Sequence, residues 1–495
     1  MMKAKKLLSF LLLLSLFALW PAFSASADEN APEGNFELTA TFKTNNVQIT
    51  HEWYDSMDEL WNELGPVAAS DRYTEIKMHA NWDTYEEKEL SHYSCDVTLD
   101  LNGHSIIRHT PNNKQAENGG VFRISSNAKF TIIDSDPDSA GYDGIKGGVI
   151  TGGASTNSGG AFTLTDSAKL TITGGTIYKC TTNEHGGAVM LTGSSAKRPS
   201  FEMKGGRIYF CQTTGAVSNC HGGAIYADLA DVSLSDCKLD SCYSEDNGGA
   251  IYMNSGSLRA KNVKFVSNHC VDYGGAIFIS GGSLRVSDSR FASNEAKDDG
   301  GAVYVDADEG AEFRFCVFSK NKSYGAGGAI YVNDDRTFLI DTDVIANSAA
   351  DYGGGVYVDS MNDIGVKGLV RIYSNSGKDN RNNLTLQDGY TSRSYLTSGG
   401  LYEGSRIGLS STGRNVKYAE DISEYQVGYF FSDLNGDVVM DRSSDYERDA
   451  QMLASALSDG GSMWVIVGFI ALAVCGIAAC VMYGRKKKAK EEETK

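Results

Sequence analysis

Three aspartates recur at intervals of 26 residues, each two positions before a Gly-Gly pair: Asp246, Asp272 and Asp298. Asp299 adds a fourth carboxylate beside them. If the interval is one structural repeat, the carboxylates stack about 5 Å apart. Carboxylates that close favour a hard cation such as calcium. The alternative is a solvated turn, because aspartate before glycine is common turn chemistry. The four aspartates are therefore a candidate calcium site, with the plain turn left open.

Two other patterns could also bind metal. His185 and His221 stand one position before successive Gly-Gly pairs, beside Glu184 and Cys220, and this set is a candidate transition-metal site without a short ligand motif. The segment 433–437 reads Asp-Leu-Asn-Gly-Asp, like the start of a calcium loop. Its glycine falls at position four instead of six, so the segment is better interpreted as a hairpin turn at Asn-Gly.

A row of aromatic residues follows the Gly-Gly pairs. Each lies between two apolar residues, so period-2 alternation turns the aromatic outward and its neighbours inward. The row consists of Tyr226, Tyr252, Phe278, Tyr304, Tyr331 and Tyr357. It predicts an outward stripe roughly 25 Å long that stacks on sugar rings or docks a protein. The alternative is mutual stacking that only stabilises the sheet.

Asparagines recur with the same period and predict an internal ladder. They close successive Phe-x-x-Asn or Val-x-x-Asn motifs and are Asn268, Asn294, Asn321 and Asn347. Stacked asparagines hydrogen-bond along the stack and satisfy buried polar groups. Cys180, Cys211 and Cys242 take this position in earlier repeats, as buried thiols or as a disulfide between neighbouring repeats.

These rows imply an element that repeats at a fixed length. Eight Gly-Gly pairs followed by a small residue recur at 26, 27 or 36 residues, beginning at Gly159, Gly186, Gly222, Gly248, Gly274, Gly300, Gly327 and Gly353. Such a period indicates stacked units that are too small to bury their own apolar faces. Each unit contains three short alternating segments. We therefore predict an all-β, right-handed parallel β-helix with three strands per coil of about 26 residues.

The paired Gly-Gly-Ala-Ile/Val and Phe-x-x-Asn repeats resemble those of the chlamydial polymorphic outer membrane proteins. They are also similar to related bacterial right-handed β-helix surface proteins with a pectin lyase-like fold. The similarity covers residues 95–409. It implies display on a bacterial cell surface and adhesion, without a catalytic site.

The two ends predict the compartment. Lys3, Lys5 and Lys6 precede an apolar run and the small residues 25–27, which is the pattern of a secretory signal. Residues 463–483 carry no charge and are followed by a basic cluster, so we predict a single-pass membrane helix with the N-terminus outside. The net charge of −18 disfavours nucleic acid as a partner.

The composition shifts along the chain divide it into seven segments. We predict a signal peptide at 1–27, an α+β cap at 28–94, the β-helix at 95–382 and a C-terminal cap at 383–440. A stalk at 441–462, the membrane helix at 463–483 and a cytoplasmic basic tail at 484–495 follow.

Three classes of function remain open at this stage. The first is a non-catalytic surface adhesin or binding module for an extracellular glycan or protein, anchored through the C-terminal helix. The second is a polysaccharide lyase or glycoside hydrolase, because β-helices host both. The third is a structural spacer. We favour the first, since no arrangement of acid, base and Arg or Lys on one face is defined by spacing.

Overall fold

The chain folds into a stack of parallel β-coils in a computed structural model. The structure describes residues 34–433, apart from 44–45, 47, 68–71, 92–94, 158, 216–218, 334–336, 360–362, 388–394, 413–418 and 421–425. The described part is a right-handed-type parallel β-solenoid of about 12 turns with very little helix. The predicted all-β solenoid is therefore confirmed.

Two long sheets run along the stack. Sheet 1 holds Lys88–Leu90, Leu384–Leu386 and the strands that follow the Gly-Gly pairs, which are Phe122–Ile124, Phe162–Thr165, Val189–Thr192, Ile225–Asp228, Ile251–Met253, Ile277–Ile279, Val303–Val305, Ile330–Val332 and Val356–Val358. Sheet 2 holds Gln48–Tyr54, Phe36–Phe42, Arg72–Met78, Asp96–Asp100, Lys129–Ile133, Lys169–Ile172, Ser200–Lys204, Ala230–Ser235, Gly256–Lys261, Ser283–Ser287, Ala311–Arg314, Thr337–Ile340, Asp363–Gly368, Tyr395–Leu401 and Ala419–Glu420.

A third sheet and a short fourth one complete each coil. Sheet 3 holds Trp82–Thr84, Ser105–Arg108, Val149–Thr151, Thr176–Tyr178, Arg207–Tyr209, Lys238–Asp240, Lys264–Val266, Arg290–Ala292, Val317–Ser319, Asp343–Ile345, Arg371–Tyr373 and Phe430–Ser432, and Arg406–Ser411 joins it to sheet 1. Sheet 4 holds the two-residue strands Ala154–Ser155, Thr181–Thr182, Gln212–Thr213, Tyr243–Ser244, His269–Cys270, Glu295–Ala296, Lys322–Ser323 and Ser348–Ala349. The predicted three strands per coil are thus corrected to four in these eight coils. Strands of two residues are too short to give an alternation pattern.

Apolar side chains alternate into one continuous core along the axis. In Ile251–Met253 the outer two residues are buried and Tyr252 points outward. The partner strand in the next coil, Ile277–Ile279, keeps the same register, with Ile251 beside Ile277. In-register parallel pairing therefore places the same side chain at the same site in every coil.

The two glycines of each Gly-Gly pair have different roles in the turn that leads into sheet 1. The first glycine is left-handed, with φ of +68° at Gly248, a conformation that costs glycine little. The second lies against the next coil, and a Cβ on Gly249 would stand 2.1 Å from the carbonyl oxygen of Gly275. The repeat thus reflects chain geometry and requires no chemistry of the glycines.

The N-terminal end of the core is closed by a helix, α1, at Met57–Val67. The amide of Glu59 donates to Ser56 Oγ at 3.4 Å, in the manner of a helix N-cap. Trp61 is buried and packs against Phe122 and Phe130, with ring centroids 5.5 and 6.2 Å apart. The helix therefore covers the open end of the stack.

Parallel pairing extends beyond the predicted β-helix range in both directions. Arg72–Met78 already pairs in parallel with Asp96–Asp100, and Arg406–Ser411 still pairs with Phe430–Ser432. In the part of the chain that the structure describes, 3-10 turns interrupt the stack at Pro111–Asn113, Tyr142–Gly144, Lys378–Asn380 and Val427–Tyr429.

The predicted signal peptide, stalk, membrane helix and basic tail lie outside the described residues, as does the predicted Asn-Gly hairpin. Within the described ranges, no helix has the length and apolarity needed to cross a bilayer.

Candidate functional site

The outward aromatic residues of sheet 1 form one continuous stack, here called the aromatic stack. Its members are Tyr226, Tyr252, Phe278, Tyr304, Tyr331 and Tyr357. Successive ring centroids lie 5.4, 5.2, 5.0, 4.8 and 5.2 Å apart. The first four pairs are stacked and the last, Tyr331 with Tyr357, is tilted. The ring faces therefore contact each other along the axis.

Turn residues cover the N-terminal part of this stack. The His185 ring lies 4.2 Å from Tyr226, and the His221 ring lies 4.2 Å from Tyr252, both stacked. Phe278 is only 9% exposed. The stack is therefore partly covered at this end, and the predicted ligand-binding stripe stays a prediction. Tyr304 and Tyr331 remain partly exposed.

A row of polar side chains borders the aromatic stack where the strands of sheet 1 end. Asn254 Nδ2 donates to Asp228 Oδ1 at 2.9 Å, and Ser280 Oγ donates to Asn254 Oδ1 at 3.1 Å. Two coils further on, Asn333 Nδ2 donates to Asp306 Oδ1 at 3.3 Å. This row does not stand out in the sequence, because its members differ in residue type and share only their register.

The predicted acidic ladder does stack in register. The amide of Asp272 donates to the carbonyl of Asp246 at 3.1 Å, and the amide of Asp298 donates to Asp272 at 3.0 Å. Asp246 Oδ2 accepts the amide of Asn219 at 2.7 Å. Burial, the charge of Asp246 and a hydrogen bond to its carboxyl raise the pKa of Asp272. The carboxylates therefore interact with one another and with the turn.

Asp299 is turned toward the backbone of the next coil. Its Oδ1 accepts the amide of Ala326 at 2.6 Å. Burial first, and then the charges of Asp298 and more distant aspartates, raise its pKa to about 6. In an earlier coil Asn247 Oδ1 accepts the amide of Tyr273 at 3.0 Å in the same way. Asp299 thus acts as a turn acceptor.

The structure gives the calcium hypothesis no added support. Across the described ranges, no group of three or more His, Cys, Asp or Glu side chains is arranged to hold a metal ion. A calcium site at Asp246, Asp272, Asp298 and Asp299 stays a prediction. Thermal unfolding with and without millimolar calcium, compared with Asp272→Asn, tests it: no calcium-dependent change would refute the prediction.

The side chains of His185 and His221 meet as stacked rings and not in the predicted arrangement of metal ligands. Their centroids lie 5.4 Å apart with 7° between the ring planes. Burial lowers the pKa of both imidazoles to about 4, with the neighbouring His221 adding to the effect at His185. His185 Nδ1 accepts the amide of His221 at 3.3 Å. The pair therefore forms part of the covering of the aromatic stack.

The predicted asparagine ladder is present and every member is buried. Asn268 Nδ2 donates to Asn294 Oδ1 at 3.0 Å, and the same bond links Asn294 to Asn321 at 2.9 Å. It continues through Asn347 to Asn375 and then to Asn383. From Asn268 to Asn375 the second hydrogen of each amide donates to a carbonyl, as Asn294 Nδ2 does to Phe265 at 3.0 Å. All side-chain donors point the same way along the axis.

The three cysteines that precede the ladder are buried free thiols. The amide of Cys242 donates to Asn268 Oδ1 at 3.0 Å, which starts the ladder. Burial raises the pKa of Cys242 to about 12. Cys237 and Cys316 are also free and buried, as predicted for inward positions. A thiol with a raised pKa is a poor nucleophile, so these cysteines serve packing.

Comparison with known families identifies the repeat. The Chlamydia polymorphic membrane protein (Chlamydia_PMP) repeat model matches residues 315–333, which contain one Phe-x-x-Asn and one Gly-Gly-Ala-Ile motif. No curated protein and no solved structure matches the chain significantly. The chain is a parallel β-solenoid that carries a repeat similar to that of the chlamydial polymorphic membrane proteins. The resemblance predicted from the repeat motifs is confirmed.

Proposed function

We propose that the protein is a bacterial surface protein that acts as a non-catalytic adhesin or binding module for an extracellular glycan or protein. The matched repeat and the solenoid support a surface β-helix protein. The secretory pattern at residues 1–27 and the uncharged segment 463–483 support display on a single-pass membrane anchor.

The observation that carries the proposal is the outer face of sheet 1. Tyrosine side chains of the aromatic stack lie in register beside the row of Asp, Asn and Ser side chains that begins at Asp228. Aromatic edges combined with hydroxyl, amide and carboxylate groups suit the alternating apolar and hydroxyl surfaces of sugars. The repeat presents this combination in successive coils, which favours an extended ligand.

Two measurements test the proposal. Antibody labelling of intact cells should detect the solenoid without permeabilisation, because the proposed topology places it outside. A glycan-array screen of the full chain should give binding that the variant Tyr304→Phe with Tyr331→Phe lowers at least fivefold. Labelling only after permeabilisation, or no binding to glycans or surface proteins, would refute the proposal.

The aromatic stack itself contains a phenylalanine at one position, which is a precedent for the variant Tyr304→Phe with Tyr331→Phe. Phe278 already occupies the aromatic stack between Tyr252 and Tyr304, with centroids 5.2 and 5.0 Å away. The double substitution therefore keeps the stack and removes only two hydroxyl groups. An unchanged melting temperature with lowered binding separates ligand contact from stability.

A further inference from the structure

Three aromatic side chains meet where sheet 3 turns into sheet 4 in two adjacent coils. We call Tyr178, Tyr209 and Phe210 the corner platform. Register places Tyr178 beside Tyr209, and their rings stack with centroids 5.6 Å apart. The Phe210 centroid lies 4.2 Å from that of Tyr209 and 6.5 Å from that of Tyr178, which it meets edge to face. The three rings therefore form one aromatic surface, separate from the aromatic stack on sheet 1.

The repeat itself does not require aromatic residues at this place. In the preceding coil the register of Tyr178 is occupied by Thr151. In the two following coils the register of Tyr209 is occupied by Asp240 and then by Val266. The corner platform is thus a local feature of two coils.

Phe210 has a backbone conformation that is unfavourable for its residue type. Its φ is 53°, in the left-handed region, where large side chains are rare. The same corner in the following coils holds Ser241, Ser267 and Ser293, with φ of 54°, 54° and 57°. The Phe210 side chain is 43% exposed. Strain held at an exposed ring is typical of residues that contact a ligand.

A second phenylalanine shows that strain alone does not make such a surface. Phe315 has the same φ of 53° and is 54% exposed. Among the residues that the structure describes, no other aromatic ring packs against it. Phe210 differs because its ring extends a surface that two tyrosines already form.

A carboxylate and an ammonium group border the corner platform on one side. The Tyr178 hydroxyl donates to Asp143 Oδ2 at 2.8 Å, and Lys179 Nζ donates to the same oxygen at 3.1 Å. These two hydrogen bonds lower the pKa of Asp143, so the carboxylate is charged at neutral pH. Both charged side chains are about half exposed. They therefore offer an acceptor and a donor beside the rings.

The other side of the corner platform is also electrically compensated. The Arg207 guanidinium lies 3.5 Å from the Tyr209 ring centroid and forms an ion pair with Asp240. Lys238 Nζ lies 2.6 Å from the same carboxylate. Each cation beside the platform thus has a carboxylate partner, which favours a ligand without charge.

We infer that the corner platform binds a neutral pyranose residue of an extracellular glycan, with the sugar ring on Phe210 and sugar hydroxyl groups at Asp143 and Lys179. The inference rests on the proposed binding function and adds a second ligand surface to the face of sheet 1. A pyranose with equatorial hydroxyl groups presents C–H bonds on its flat faces, which suit the negative face of an aromatic ring. Its hydroxyl groups both donate and accept, so they match the paired carboxylate and ammonium.

Size and charge favour a sugar over other ligands. A stable protein interface buries about 800 Å² on each partner, whereas the platform has one well-exposed ring, because Tyr178 is only 6% exposed. Binding of nucleic acid needs cations that are free to neutralise phosphates, and the cations here are paired. An acidic sugar would meet the carboxylates of Asp143 and Asp240.

The test measures binding of the full chain to cellohexaose and chitohexaose, with hexagalacturonate as the acidic comparison. Phe210→Ser removes the exposed ring and should weaken binding of a neutral hexasaccharide at least tenfold. Serine fits this corner, as Ser241 shows with φ of 54°. Phe210→Tyr keeps the ring and should retain the affinity within threefold.

Phe315→Asn is the matched control. It removes a phenylalanine of equal φ and similar exposure that lies outside the platform. Asparagine fits that corner, as Asn262 shows with φ of 53°. This variant should change the affinity less than twofold. Melting temperatures of both variants show that the binding measurements are made on folded protein.

Asp143→Asn gives a second readout that does not depend on the folding of Phe210→Ser. Asparagine tolerates the φ of 54° at this position and keeps an oxygen that accepts from the Tyr178 hydroxyl. The substitution removes the charge that strengthens hydrogen bonds from sugar hydroxyl groups. It should therefore weaken binding of the neutral hexasaccharide at least threefold.

Four results would overturn the inference. They are unchanged affinity in Phe210→Ser and Asp143→Asn, an equal loss in Phe315→Asn, tighter binding of hexagalacturonate, and absence of neutral-sugar binding by the wild type. If cell-surface labelling persists and Tyr304→Phe with Tyr331→Phe still lowers ligand binding, the proposed function stands and only the corner platform is refuted.

Discussion

Asp433 accepts the last hydrogen bond of the asparagine ladder, with Asn383 Nδ2 2.7 Å from Asp433 Oδ1. Its other oxygen accepts the backbone amide of Asn383 at 2.9 Å. Because all ladder donors point toward this end, their aligned dipoles present a positive end to the carboxylate. These donors favour the charged carboxylate for the same reason as at a helix N-terminus, whereas burial, the larger effect, raises the pKa of Asp433.

Asp433→Ala should destabilise the C-terminal end of the solenoid. It leaves the Asn383 amide groups without their acceptor, and an unsatisfied buried donor costs about 1–3 kcal/mol. Urea unfolding measures the loss, and hydrogen exchange should locate faster exchange in the coils around Asn375 and Asn383. Asp379→Asn is the control, because the Asp379 side chain is 64% exposed in a long ion pair and asparagine tolerates the left-handed backbone at this position, with φ of 53°. Equal losses in the two variants would contradict this role for Asp433.

The cost of replacing a ladder asparagine by cysteine should depend on its position. Asn268→Cys lengthens the run of cysteines that ends at Cys242. Because Cys242 donates only its backbone amide to Asn268, this substitution leaves no side-chain amide without an acceptor. Asn321→Cys additionally removes the Oδ1 that accepts from Asn294 Nδ2. Because that buried donor loses its partner, Asn321→Cys should cost about 1–3 kcal/mol more. Equal free energies of unfolding for both variants would show that the ladder bonds contribute nothing.

Asp299 should make stability depend on pH. Its pKa in the folded protein is raised from 3.8 to about 6 by burial, so the folded state holds the proton more tightly than the unfolded state. Stability is then fully present below pH 4, falls as pH rises toward 6 and levels off above it. Because Asp299 is partly exposed, solvent screening limits the change to about 1–2 kcal/mol.

Reciprocal substitutions check this pH dependence. Asp299→Asn should flatten the profile of unfolding free energy between pH 4 and 7, while keeping an oxygen acceptor for the amide of Ala326. Asn247→Asp should create a similar slope, since Asn247 accepts the Tyr273 amide from the equivalent position. A profile unaffected by both changes would rule out this turn position as its source.

The sequence predicted those features that depend on a constant repeat. The intervals between Asn268, Asn294 and Asn321 fix their register, so the ladder could be placed before the structure was known. The covering of the aromatic stack could not be predicted in this way, because it depends on the His185 and His221 rings stacking on aromatic rings of the following coil. Asp433 lies 50 positions after Asn383 and outside the period, so no local pattern links them.

The aromatic stack should contribute to stability through its rings and not through its hydroxyl groups. Tyr252→Ser with Tyr304→Ser removes rings that each contact two neighbours, and each loss should cost about 1–3 kcal/mol for half-buried aromatic groups. Tyr304→Phe with Tyr331→Phe keeps the rings and should change the free energy of unfolding by less than about 0.5 kcal/mol. Chemical denaturation of both variants, with Phe278→Tyr as a further control, separates the two contributions. If the phenylalanine pair is as unstable as the serine pair, the hydroxyl groups and not the ring contacts hold sheet 1 together.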